Sequence, residues 1–145
     1  MPVDERLVGR EGVVTVRVTP ETTADAVGNR GVHVFATPQL VALFERAAID
    51  ALAGELDEGA ASVGSVVRVT HRAPTPLGAT VTARATVRSV DGSQVWYDLE
   101  AHDGVEQVGD GEHLRIVIDH GRFMRRVERK AAALAELGQG EGSER

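Results

Sequence analysis

A chain of 145 residues with 42% hydrophobic residues, 3% aromatics and a net charge of −6 is long enough for one domain whose core is built mainly from Val, Ala and Leu. The acidic balance and the scarcity of rings argue against a nonspecific nucleic-acid binder, a base-stacking platform or a polybasic membrane patch. With no Cys, disulfides and thiolate metal sites are excluded; no apolar run reaches about 18 residues and no signal-peptide core opens the chain, so a soluble, cytoplasmic protein is expected.

Residues 11–19, EGVVTVRVT, alternate Val14, Val16 and Val18 with Thr15, Arg17 and Thr19, the period of a strand with one buried face. Pro20 closes it. Residues 21–30 have no clear period and read as a loop, placed to form the mouth of a site. Val32 to Phe35 reads as a short strand or extended piece.

The stretch FATPQLVALFERAAIDALA, residues 35–53, reads as a helix. Thr37 suits its N-cap, Pro38 its first turn and Gly54 its stop. At about 100° per residue, Gln39, Arg46 and Asp50 form a polar face, and Phe44, Ala48, Ala51 and Leu52 an apolar one. Glu45 falls beside Leu52 and Ile49, away from the other polar residues. A carboxylate so placed is paired, hydrated by a cleft, or functional.

After a small, acidic connection, ELDEGAAS, the pattern turns to strands. SVGSVVRVTHRAP, from Ser62, sets Val67, Val69 and His71 on one side and Arg68 and Thr70 on the other, ending at Pro74, Pro76 and Gly78. TVTARATVRSV turns Val81, Ala83, Ala85 and Val87 inward. Asp91-Gly92 signals a hairpin, and QVWYDLEAHD returns with Val95, Tyr97, Leu99 and Ala101 on one face. Asp103-Gly104 marks another turn. In GEHLRIVID, Leu114, Ile116 and Ile118 share a side, leaving Arg115 on a solvated face or facing an anionic ligand. Residues 122–137 read as a helix with Phe123, Val127, Leu134 and Leu137 as apolar contacts. Its basic run of Arg122, Arg125, Arg126, Arg129 and Lys130 is either a solvated face or a phosphate contact. A domain over residues 1–137 and a disordered tail over 138–145 are expected.

The element order is α+β: a strand, a long helix, four strands in an antiparallel meander and a terminal helix. A sheet that wraps one apolar-faced helix is the hotdog pattern by analogy.

Three side chains carry possible chemistry: Thr37 at the helix start, Glu45 two turns on, and His71 on the following strand. An imidazole supplies a base near neutral pH, a carboxylate orients it or attacks, and a hydroxyl positions a water or itself attacks. The plainer alternatives are a cap, an ion pair with a neighbouring Arg, and a strand-end histidine. Gly64 is a candidate oxyanion donor, because a residue without Cβ admits a carbonyl close to its N–H, or else it marks a bulge. His33, His102, His113 and His120 lack ligand spacing, so no metal is expected.

The phrases VFAT, with a Glu eight residues after the Thr, VTHRAPTP, RSVDG and AHDGVEQVGDGEH resemble the fluoroacetyl-CoA thioesterase family of hotdog proteins over about residues 10–127. The resemblance implies a homodimer, or a higher assembly of such dimers, with sheets joined side by side and sites at the interface. It implies hydrolysis of a small acyl-CoA to acid and CoA, with no cofactor, since CoA is part of the substrate. His71 is then the general base, Glu45 a nucleophile or water-orienting carboxylate, Thr37 a hydroxyl partner, and Gly64, Phe35 and Arg115 substrate contacts. The enzyme resembled has an aromatic-rich segment before its threonine, whereas this chain has AVGNRGVHVFAT with Phe35 alone. That difference predicts a missing or different lid and an acyl group other than fluoroacetyl. A noncatalytic acyl-CoA or small-ligand-binding hotdog protein is the alternative reading. A hydratase, which usually pairs Asp with His, is disfavoured by the Thr and Glu.

Overall fold

The computed structural model describes residues 1–138. Strand β1 (Glu11–Arg17) leads through two single 3-10 turns, Pro20–Thr22 and Ala24–Val27, to helix α1 (Thr37–Ala51). Strands β2 (Ala60–His71), β3 (Thr80–Asp91), β4 (Gln94–His102) and β5 (Gln107–Asp119) follow, and helix α2 (His120–Gly138) continues directly from β5. The strands form one antiparallel sheet in the order β1-β3-β4-β5-β2, curled around α1.

The alternation in β3 and β4 is that of the sequence: Val81, Ala83, Ala85 and Val87 of β3 and Val95, Tyr97, Leu99 and Ala101 of β4 are all buried. These small and branched side chains pave the concave face. Leu40, Leu43, Phe44, Ala47, Ala48 and Ala51 of α1 pack onto it. Each fully buried Leu or Phe contributes about 1.5–3 kcal/mol, so this one face supplies most of what anchors the helix. Ile49 departs from expectation: it is half exposed, on the side of Arg46 and Asp50.

Four expectations are corrected. The segment read as a loop over 21–30 contains the two 3-10 turns, tied by the bridge between Thr23 and Phe35. β2 begins two residues before Ser62, and β5 four residues before Gly111. The faces of β5 are reversed: Tyr97 pairs with His113 and Val95 with Arg115, so His113, Arg115 and Val117 point inward while Ile116 and Ile118 line the outer face. Alternation alone assigned the apolar set to the core, but this strand puts two cationic-type side chains there. Finally, Gly138 ends α2; the rest of the expected tail lies outside the described residues.

β2 is an edge strand with a bulge, its register against β5 shifting between Gly64 and Val66. Gly64 and His71 are an odd number of residues apart and would face opposite sides of a regular strand. The extra residue at Ser65 returns both to the concave face.

The helix sits unusually close to the sheet at Gly12. A Cβ there would overlap the Ala47 carbonyl oxygen and lie against the Ala51 backbone nitrogen, neither of which can rotate away. Gly12→Ala is expected to lower unfolding free energy by about 2–3 kcal/mol, the scale of an overpacked core. Urea denaturation checks this, and a change below about 0.5 kcal/mol would mean that α1 is not seated as described.

Candidate active site

The functional side chains fall into two groups. At one end of the sheet, Thr37 is the first residue of α1 and His71 the last of β2. Thr37 is not the N-cap: Ala36 holds that position, and no side chain caps the helix. The Thr37 hydroxyl is used elsewhere, 2.7 Å from His71 Nδ1, within the reach expected of a nucleophile and its base. Thr37 is exposed. His71 Nε2, by contrast, is enclosed and without a hydrogen-bond partner among the described residues. Burial lowers the imidazole pKa below its ordinary value near 6.5, and the nearby Ala73 backbone works in part against this. The ring is therefore neutral at neutral pH, the form a base requires.

This pair opens into a cleft of about 280 Å³ lined in part by Val32, Val34, Phe35 and Pro74. Phe35 is 2% exposed, a wall of the cleft anchored in the core. The two 3-10 turns that precede it complete the rim through Ala24 and Asn29.

The second group lies further along α1. Glu45 is eight residues from Thr37, about 12 Å along the axis at 1.5 Å per residue. Its Oε2 is 3.5 Å from Arg115 Nη1. Arg115 is 5% exposed, so it is no solvated strand residue. Its Nε donates to Ser62 Oγ at 2.8 Å and its Nη2 to the Ser62 carbonyl at 3.1 Å. Nη1 also lies 3.1 Å from His113 Nε2. Arg115 is thus a partner for Glu45, with Ser62 and His113 on its other donors. Burial lowers its pKa, and the charge of Glu45 works in the opposite direction. His113, fully buried, is within 2.7 Å of the Val66 carbonyl through Nδ1 and stacks on Tyr97 at 5.8 Å. Burial likewise lowers its pKa, keeping a neutral ring beside the guanidinium.

Gly64 lies against this cluster. A Cβ at that position would overlap Glu45 Oε2 and approach Arg115 Nη1 and His113 Cε1 at 3.4 Å each. The glycine thus gives the carboxylate its place, whatever its amide does. The chain therefore joins Thr37 to His71 and Glu45 to Gly64 and Arg115, but does not join the two groups. Ser62, Tyr97 and His113 were not singled out by sequence reasoning. The pairing of β5 with the Tyr97 face of β4 was the missing signal.

A long helix held in a curled antiparallel sheet is the hotdog architecture, and the solved structures it resembles include thioesterases. A Thermus thermophilus thioesterase superfamily member is 28% identical, covers 91% of this chain and 98% of its own, and superposes with a TM-score of 0.79. The chain belongs to the family described as fluoroacetyl-CoA-specific thioesterase, which matches residues 18–121. A fluoroacetyl-CoA thioesterase from Streptantibioticus cattleyicolor is 44% identical over 101 residues, 70% of this chain and 73% of that protein. A solved structure of the fluoroacetyl-CoA thioesterase FlK is 37% identical, covers 85% of this chain and 96% of its own, and has a TM-score of 0.78.

Gly64→Ala tests the role of that glycine. The displaced atom is the end of a flexible side chain, so stability should change by less than about 1 kcal/mol, while turnover should fall at least about tenfold as the carboxylate shifts by a fraction of an ångström or more. Parallel denaturation and thioesterase assays check this; full activity in the variant would remove Glu45 from the chemistry.

Proposed function

We propose that this protein is a cytoplasmic thioesterase that hydrolyses a small acyl-CoA to the free acid and CoA, with Thr37 and His71 as the reacting pair. The observation that carries the reading is the 2.7 Å contact between Thr37 Oγ1 and His71 Nδ1 at the floor of an open cleft. Because Nε2 is enclosed, Nδ1 is the nitrogen that takes a proton, and the hydroxyl it touches is the source.

The Thr37 oxygen attacks the thioester carbonyl as its proton passes to His71. The tetrahedral adduct then collapses, the C–S bond breaks, and the imidazolium returns the proton to the CoA sulfur. Water, deprotonated by the same imidazole, cleaves the acyl-threonine ester to release the acid. No cofactor takes part, since CoA leaves with the substrate.

Glu45 enters this scheme through a dimer. β2 is twelve residues long and ends the sheet, and Val66, Val67 and Val69 on it are only partly covered. A long, unprotected edge of that kind favours pairing with another strand. Two such edges, paired antiparallel about Val67 and Arg68, would bring the Thr37–His71 pair of one protomer beside Gly64 and Glu45 of the partner subunit. There the Gly64 amide is offered to the developing oxyanion, and the carboxylate, fixed by Arg115, orients the hydrolytic water.

The acyl group follows from the cleft wall. Phe35 is its sole aromatic ring, with Val32, Val34 and Pro74 beside it. Such a lining suits a short apolar acyl chain and offers no particular contact for fluorine, so acetyl-CoA and its near homologues are the substrates to assay first.

Thr37→Ala and His71→Ala are each expected to lower kcat about 10²- to 10⁴-fold, measured as CoA release with a thiol reagent. Activity within tenfold of the parent in either variant contradicts the assignment, and binding of CoA esters without any release would favour a noncatalytic ligand-binding role. The pH dependence carries a sign. Burial depresses the His71 pKa, so the neutral base persists below pH 6.5, and log kcat/KM should stay level there before falling with unit slope at lower pH. The same depression makes folding stability constant above about pH 6.5 and lost as pH falls through the native His71 pKa. A limb centred at or above pH 6.5 is the contrary result.

A further inference from the structure

A second cavity lies away from the Thr37 cleft, between the outer face of β5 and the start of α2, with a volume of about 430 Å³. Its floor is apolar, from Ile116 and Ile118, with Phe123 on the helix side. Its other wall is cationic, from Arg122, Arg126 and Arg129. These three are spaced i, i+4 and i+7, which aligns them in one stripe along the helix.

The stripe has no carboxylate partner. Arg68, Arg72, Arg84 and Arg88 on the sheet are each paired with Asp or Glu, whereas no ion pair engages Arg122, Arg126 or Arg129 among the described residues. The one carboxylate at the cavity, Asp119, accepts a hydrogen bond from the Arg122 backbone N–H at 2.9 Å and so caps the helix. Three arginines thus share one wall with a single carboxylate, Asp119, whose charge is countered by Arg122 and Arg125, in a protein that is otherwise acidic. That arrangement suits an anionic ligand, and guanidinium forks match phosphate oxygens. The aliphatic floor and the Phe123 ring suit a flat heterocycle. The family match ends at residue 121, so the stripe lies beyond the matched segment.

We propose that this cavity binds the phosphorylated adenosine end of coenzyme A, with Arg122, Arg126 and Arg129 on the phosphates and Phe123, Ile116 and Ile118 against the adenine. The proposal rests on the acyl-CoA thioesterase reading and on the dimer described above. In that dimer the His71 end of the partner's β2 lies against the first half of this protomer's β2, whose Ala61 and Val63 pair with Ile118 and Ile116. The cavity is then two strand spacings, about 10 Å in the plane of the sheet, from the partner's reacting pair, which lies on the concave face, and the pantetheine arm passes from the outer face to the concave one at the seam between the two copies.

The test uses the full-length chain and its Arg126→Ala/Arg129→Ala variant. Calorimetry with adenosine 3′,5′-bisphosphate should give binding to the parent that weakens at least tenfold in the variant and falls with added salt. In kinetics, the ratio of kcat/KM for acetyl-CoA to that for acetyl-pantetheine should drop at least tenfold, through KM. Equal bisphosphate binding by parent and variant, or an unchanged ratio, overturns the proposal. Hydrolysis of both thioesters by the parent with equal kcat/KM overturns it too, while leaving the thioesterase reading intact. Conversely, bisphosphate binding that depends on Arg126 and Arg129 in a protein that cleaves neither thioester supports the cavity assignment and refutes hydrolysis.

Discussion

The structure depends on how closely α1 approaches the sheet. Three glycines on three strands make room for it: Gly12 on β1 beneath Ala47 and Ala51, Gly64 on β2 beneath Glu45, and Gly109 on β5, where a Cβ would come within 2.9 Å of Leu40. Ala47, Ala48 and Ala51 are fully buried as a result. Small residues on both surfaces exchange side-chain volume for backbone proximity, and packing at this density leaves little freedom for the helix to slide or roll. Thr37 and Glu45 inherit that rigidity. The first arrives at the end of β2 and the second at its bulge because the helix between them is fixed.

The second constraint is electrostatic. A guanidinium that is 5% exposed needs its donors satisfied and its charge countered. Ser62, His113 and Glu45 do this together. Because Glu45 keeps part of its surface in solvent, the pair adds modestly to stability. Its consequence for the site is larger: Arg115 on one side and Gly64 on the other hold the carboxylate in one place. The hydroxyl and imidazole, uncharged and at the cleft, form the pair proposed above to react. Two kinds of polar group are thus separated along one helix, and in the proposed dimer the free edge of β2 is the means by which two copies would reunite them.

Much of this was legible in the sequence. The alternation of Val81 to Val87 against Val95 to Ala101 specified a hairpin with its inward face, since every inward residue is apolar. Glu45 stood out because a carboxylate broke a helical face, and its pairing with Arg115 explains the break. What could not be read follows from tertiary context. Arg115 and His113 face inward because a helix carboxylate and backbone carbonyls meet them there, and a period-two pattern of hydrophobicity assigns such a strand backwards. The bulge at Ser65, which brings Gly64 and His71 to one face across an odd interval, has no sequence signature beyond the glycine. Thr37 has the composition of an N-cap, but the hydroxyl that could have capped the helix is drawn to His71 at 2.7 Å. The match of VFAT and VTHRAPTP to the family placed these residues together where spacing alone left the matter open.

The most direct test of the account is acid quenching of the protein within milliseconds of mixing with acetyl-CoA, followed by peptide mass spectrometry. The account predicts an added acetyl group on the peptide bearing Thr37, formed and lost at rates consistent with turnover. An acetyl group found instead on Glu45, or turnover with no modified peptide at any time, would contradict it.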